Sequence, residues 1–130
     1  MALKLSKNSG LTDIISTDGT NPLTTQHPTT GSSVATKVFL FNDDATKRYE
    51  SVSIDPTDSV STDESTWVQL APDNAGVAGT YLPASAALSF GNIADTVGHA
   101  FWVKVTTPVV ADSQNKSDIK LTVTGTEFAV

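Results

Sequence analysis

A chain of 130 residues fits one domain and is long enough to bury roughly two-thirds of its unfolded surface in a single core. It has no cysteine, which excludes disulfides and thiolate metal sites. Its net charge of -6 comes without a cluster of Lys and Arg, which argues against nucleic acid as a direct partner.

The opening Met-Ala-Leu-Lys-Leu-Ser lacks the apolar run of ~7 residues that a signal peptide needs, and no segment approaches the ~20 apolar residues of a membrane span. The expectation is a protein made in the cytoplasm with no membrane partner. Ser16 to Ser33, STDGTNPLTTQHPTTGSS, is nearly all polar and turn residues, with Leu23 its one large apolar side chain. Such a stretch buries too little surface to offset its own ordering entropy. Residues 1–33 are therefore expected to be an N-terminal arm whose anchors on a partner are Leu3, Leu5, Leu11, Ile14, Ile15 and Leu23. Residues 34–130 are expected to be the folded β-sandwich domain.

Val34 to Phe41 (VATKVFLF) reads as the first strong strand, apolar on both faces near its end as a central strand would be, and stopped by Asn42-Asp43-Asp44. A second run, Tyr49 to Ile54, sets Val52 and Ile54 on one side and closes at Asp55-Pro56. Asp55 to Ser65 reads as a long exposed loop. Trp67 to Ala71 follows as a strand with Trp67 and Gln69 alternating against Val68 and Leu70. The residues Pro72-Asp73-Asn74-Ala75-Gly76 spell a tight turn, because proline presets its first dihedral and Asn and Gly tolerate positive φ. Short runs at Thr80 to Leu82 and Ala86 to Phe90 lead to Gly91–Gly98, which reads as a loop.

Phe101 to Thr107 puts Phe101, Val103 and Val105 on one face and Trp102, Lys104 and Thr106 on the other. Asp118 to Thr124 repeats the pattern with Ile119, Leu121 and Val123 against Lys120, Thr122 and Thr124. Together they read as a β-hairpin with Phe101, Val103, Val105, Ile119, Leu121 and Val123 facing inward. About seven strands with turn signals every ten or so residues give an all-β antiparallel sandwich.

Little in the chain suggests chemistry. A serine hydrolase needs a nucleophile on a strained turn with a histidine in reach, and the chain offers His27, His99 and no G-x-S-x-G. Asp55, Asp58, Asp63 and Glu64 share a loop, but their spacing matches no EF-hand, and a solvated loop is expected. Asn115-Lys116-Ser117 fits the glycosylation sequon without a secretion signal beside it. Trp67, Tyr81 and Trp102 could form a sugar-stacking platform, but Trp67 and Trp102 are expected first as packing or interface aromatics. The expectation is a protein without cofactor, metal or catalytic residues.

Three segments carry a family resemblance: HPTTGSSVATKVFLFNDD, WVQLAPDNAGVAGTYL and FWVKVTTPVVADSQNKSDIKLTVTGTE. In this order they resemble small tailed-phage virion proteins with an Ig-like β-sandwich. In that group a strand ending Asn-Asp, a Trp with an Ala-Pro-Asp-Gly turn and a Phe-Trp-Val-(Arg or Lys)-Val strand recur. The likeness spans His27 to Glu127, and Pro108-Val109-Val110-Ala111 departs from the usual Pro-Ala-Gly. It implies an Ig-like fold and a subunit that assembles without turnover, either head decoration (cement) or tail-associated. The reading is a capsid decoration protein in the virion, present in many copies and bound to the major capsid protein or another virion protein. The alternatives are a carbohydrate-binding adhesion module and a tail or baseplate subunit.

Overall fold

The computed structural model describes residues 2–15, 21, 25–27, 32–58, 67–107, 114–116 and 119–130, with the backbone alone at 25–27, 32, 57–58, 107, 114–116 and 119–120. It is all-β. Among the described residues ten strands run in chain order: β1 (Leu3–Ser6), β2 (Thr25–His27), β3 (Ser32–Asn42), β4 (Lys47–Asp58), β5 (Val68–Asn74), β6 (Val77–Ala78), β7 (Leu88–Ile93), β8 (His99–Thr107), β9 (Gln114–Lys116) and β10 (Ile119–Ala129). Eight of them form two antiparallel sheets, β1-β3-β8-β5-β6 and β10-β4-β7, while β2 and β9 pair separately. The inner faces share one core, with Leu3, Leu5, Val38, Leu40, Val68, Leu70, Phe101, Val103 and Val105 from the larger sheet meeting Tyr49, Val52, Ile54, Leu88 and Ile93 from the smaller. This is the expected β-sandwich.

The alternation of each strand explains its faces. Phe101, Val103 and Val105 are buried as expected, and Leu121 and Val123 pack half-buried against the same core. Val34 to Phe41 lies inside β3, a central strand between β1 and β8. The turn at Pro72 to Gly76 becomes the β5–β6 hairpin, whose two loop residues Ala75 and Gly76 both have positive φ, at 54° and 93°. That is the dihedral pair of a hairpin turn whose twist matches its strands.

Three expectations fail, each for a physical reason. The hairpin from Phe101 to Thr124 does not form, because β8 belongs to the five-stranded sheet and β10 to the three-stranded one. Alternation shows which residues face inward but not which strand lies alongside. Secondly, Pro56 does not end its strand. β4 pairs with β7 only as far as Ile54 and continues to Asp58 against β10 alone, so proline sits where one edge needs no N–H donor.

The third failure concerns the arm. Residues 3–6 form an edge strand with Leu3 opposite Asn42 and Ser6 opposite Phe39. The chain then turns back, where Ser6 bridges Ile14 and the Ile15 N–H donates to the Leu5 carbonyl at 2.9 Å. Asn8 organises that turn, its Oδ1 accepting from the Thr12 and Asp13 amides at 3.0 and 3.2 Å. The sandwich therefore begins at Leu3, well before residue 34. The apolar poverty of 16–33 does not hold for the fifteen residues before it, which carry five of the six expected anchors.

Candidate functional site

The outer face of the five-stranded sheet carries the side chains with most chemical character. Its central strand is β8, and register places Trp102 between Lys37 of β3 and Ala71 of β5, with Lys104 beside Ala35 and Gln69 in the next row. Trp102 therefore stands on the outer face, opposite in sense to Phe101 and Val103. Its Nε1–H donates to Asp73 Oδ1 at 3.0 Å. The Gly76 amide donates to Asp73 Oδ2 at 3.3 Å, and Lys37 Nζ lies 3.7 Å from Asp73 Oδ1. The Trp102 hydrogen bond, helped by the Gly76 amide and the Lys37 charge, holds the Asp73 carboxyl below the usual carboxylate range against the opposing effect of burial.

Lys37 also sits over two rings, 5.6 Å from the Phe39 centroid and 5.9 Å from that of Trp102. Lys104 Nζ lies 4.2 Å from the centroid of Tyr81, whose hydroxyl is pushed up by burial. Both lysines thus lie over aromatic faces, a geometry in which the ring quadrupole attracts the cation. The Trp102 indole has its N–H spent on Asp73 and a ring face shared with Lys37. A sugar ring stacking there would have to displace the lysine.

Nor do the three aromatics form one platform. Trp67 packs against the core and lies four residues before Ala71, about 13 Å along the strand. Tyr81 belongs to the row of Lys104. The structure brings Trp102 together with Lys37, Phe39 and Asp73, a set the sequence gives no reason to join, because their partnership depends on the register of three strands.

The proposed anchors have other duties. Leu3 and Leu5 are 8% and 6% exposed and belong to the core, against which Ile15 also packs. Ile14 is held in its bridge to Ser6. Leu11 covers the outer face of β3, its Cδ2 lying 3.0 Å from where a Cβ on Gly98 would stand, beside Phe39. Leu3 and Leu5, closed inside the core, cannot also reach into a partner, whereas the side chains of Leu11, Ile14 and Ile15 are only half-buried. Leu23 lies outside the described residues.

Among the remaining candidates, His99 Nε2 and Asp95 Oδ1 are 2.8 Å apart at the surface, a pair the sequence reading did not join. Asp55 is exposed on β4, while the side chains of Asp58, Asp63 and Glu64 lie outside the described residues, as do those of His27 and Asn115. Among the described residues no three His, Cys, Asp or Glu side chains gather as a metal would require. Among the described residues no helix is long and apolar enough to cross a membrane. No protein-family model matches the chain, and neither a curated protein nor a solved structure is similar to it.

Proposed function

We propose that the protein is a structural subunit of a tailed-phage particle, most specifically a decoration protein that binds the outside of the assembled head and stabilises it. The observation that supports this reading is where the three family-like segments fall. Phe101-Trp102-Val103-Lys104-Val105 forms the middle of β8, and Asn42-Asp43-Asp44 ends β3 and opens the turn after it. Pro72 to Gly76 leads into the β5–β6 hairpin. Each is spent on making a rigid sandwich, and a rigid unit with paired surface charges suits repetitive attachment better than turnover. Ig-like connectivity, many copies per particle, a virion location and contact with the major capsid protein or another virion protein belong to the same proposal.

The adhesion alternative fits less well because Trp102 is held by Asp73 and Lys37. Immunogold electron microscopy of intact particles from the lysate that yields the protein tests the reading. Label distributed over heads is the expected result. Label confined to tails would move the subunit to the tail, and particles without label would overturn the proposal.

A further inference from the structure

The outer face of the five-stranded sheet carries a positive spot on an otherwise acidic chain. Among the described residues Lys104 on β8 has no carboxylate in ion-pair contact, and its ammonium rests on the Tyr81 ring instead. Tyr81 is placed there by the segment after β6, which follows β5 with the Leu82 N–H donating to the Leu70 carbonyl at 2.8 Å. Its neighbour Lys37 is only partly neutralised. Asp73 lies 3.7 Å away, beyond ordinary hydrogen-bond length, and already accepts from Trp102 and Gly76. Elsewhere acid meets the described cations more closely, with Asp43 on Lys4, Glu50 on Arg48 and Asp44 beside Lys47.

Register fixes the spacing of the two lysines. Lys37 stands opposite Trp102 and Lys104 opposite Ala35, so they are diagonal neighbours on one face, roughly 7–8 Å apart. An extended peptide repeats its same-side residues every second position, about 6.7 Å, a distance that flexible lysine stems can match. This half of the face is also open. Ser33, Ala35 and Thr106 are exposed there, whereas at the other end Leu11 lies over β3 beside Phe39.

The chemistry of the face selects among anions. Phosphate and sulfate are best held by guanidinium forks or by clustered free N–H groups. The chain's one arginine, Arg48, is on the other sheet, and the backbone N–H groups around both lysines are engaged in ladders. A sugar ring is kept off Trp102 by Lys37. Separate ammonium groups at strand spacing suit separate carboxylates.

We propose that Lys37 and Lys104, their ammonium groups held over the Trp102 and Tyr81 rings, form a docking face for an extended acidic segment of a partner protein. Alternate Asp or Glu side chains of that segment pair with the two lysines. The inference does not rest on the proposed place in a particle. An acidic segment can bind a protein that no particle carries, and a subunit labelled on heads can lack this face.

Titrating the full chain at low salt with a synthetic peptide of alternating Glu and Ser, followed by backbone amide chemical shifts, tests it. Saturable shifts centred on residues 35–37, 69–71 and 102–106 are expected, with a dissociation constant of about 1 mM or tighter that weakens as salt is added. Lys104→Glu should weaken binding about tenfold or more, and Lys47→Glu on the other sheet should change it by less than about twofold. The wild-type shift map needs no variant, so it decides the matter even where Lys104→Glu fails to fold. Absence of saturable shifts, shifts centred elsewhere, or equal binding by a folded Lys104→Glu protein would overturn the proposal. Shifts on this face from heparin and none from the peptide would also overturn it, and would assign the face to an anionic glycan.

Discussion

Tyr49 is the residue on which both sheets close. Its ring is fully buried, its hydroxyl donates to Glu127 on β10 at 2.5 Å, and it accepts from the Ala2 amide at 2.7 Å beside β1. Burial, and then the Glu127 carboxylate, push the phenol above its ordinary value. Tyr49→Phe keeps the packing but removes the hydrogen bonds to Glu127 and the Ala2 amide, so it should lose about 1–3 kcal/mol in urea denaturation. A Glu127→Gln protein, which still accepts the hydrogen bond, should lose less. Asp73 gives a pH-dependent counterpart. Its carboxyl is held low chiefly by Trp102, so its contribution is complete above the unfolded value of about 3.9 and is lost as pH falls through the lower folded value. The melting temperature of Asp73→Asn should therefore lie below wild type at neutral pH and converge with it in strong acid. Trp102 fluorescence should report the same titration, and an equal gap at all pH values would separate the effect from Asp73 ionisation.

At the scale of elements, β1 changes the account of the N-terminus. Leu5→Ala should cost about 2–5 kcal/mol as a cavity in a closed core, and deleting residues 2–15 should leave the chain unfolded by circular dichroism. Gly125 marks a second element-scale constraint. Between Glu50 and Ser53 strand β4 carries two residues, with Ser51 at a φ of 53°, against the one glycine of β10. A Cβ there would meet Val52 Cγ2 at 3.1 Å, so Gly125→Val should cost about 1–3 kcal/mol by overpacking. The inward face of β8 was legible because Phe101, Val103 and Val105 alternate with Trp102, Lys104 and Thr106. β1 was not, since four residues give alternation too few repeats to stand out. β2 and β9, three residues each, escaped for the same reason. Trp102 was placed correctly on the outer face, but its bond to Asp73 depends on how a turn 29 residues away folds beside β8.

At the scale of the whole molecule, the chain alternates between sheets: β3, β5 and β8 lie in one, and β4, β7 and β10 in the other. Apart from the β5–β6 hairpin, few contacts between these strands are local, and loop-closure entropy must be met before such pairings stabilise anything. Refolding from urea should accordingly take milliseconds to seconds or longer, as in other sandwiches. The same distribution of roles separates folding from attachment. Leu5 lies in the core, whereas Leu23 is the one large apolar residue of a stretch too polar to carry a core of its own. If that stretch attaches the subunit to a particle, Leu23→Asp should leave the melting temperature unchanged and weaken particle binding in a co-sedimentation assay. Many copies bound at once would amplify a modest loss per copy into a large one. Leu5→Asp should instead unfold the chain, because a buried unpaired charge costs several kcal/mol, comparable to the whole stability of a domain this size. Full particle binding by a folded Leu23→Asp protein would remove that stretch from the attachment surface and turn attention to the outer face around Lys37 and Lys104.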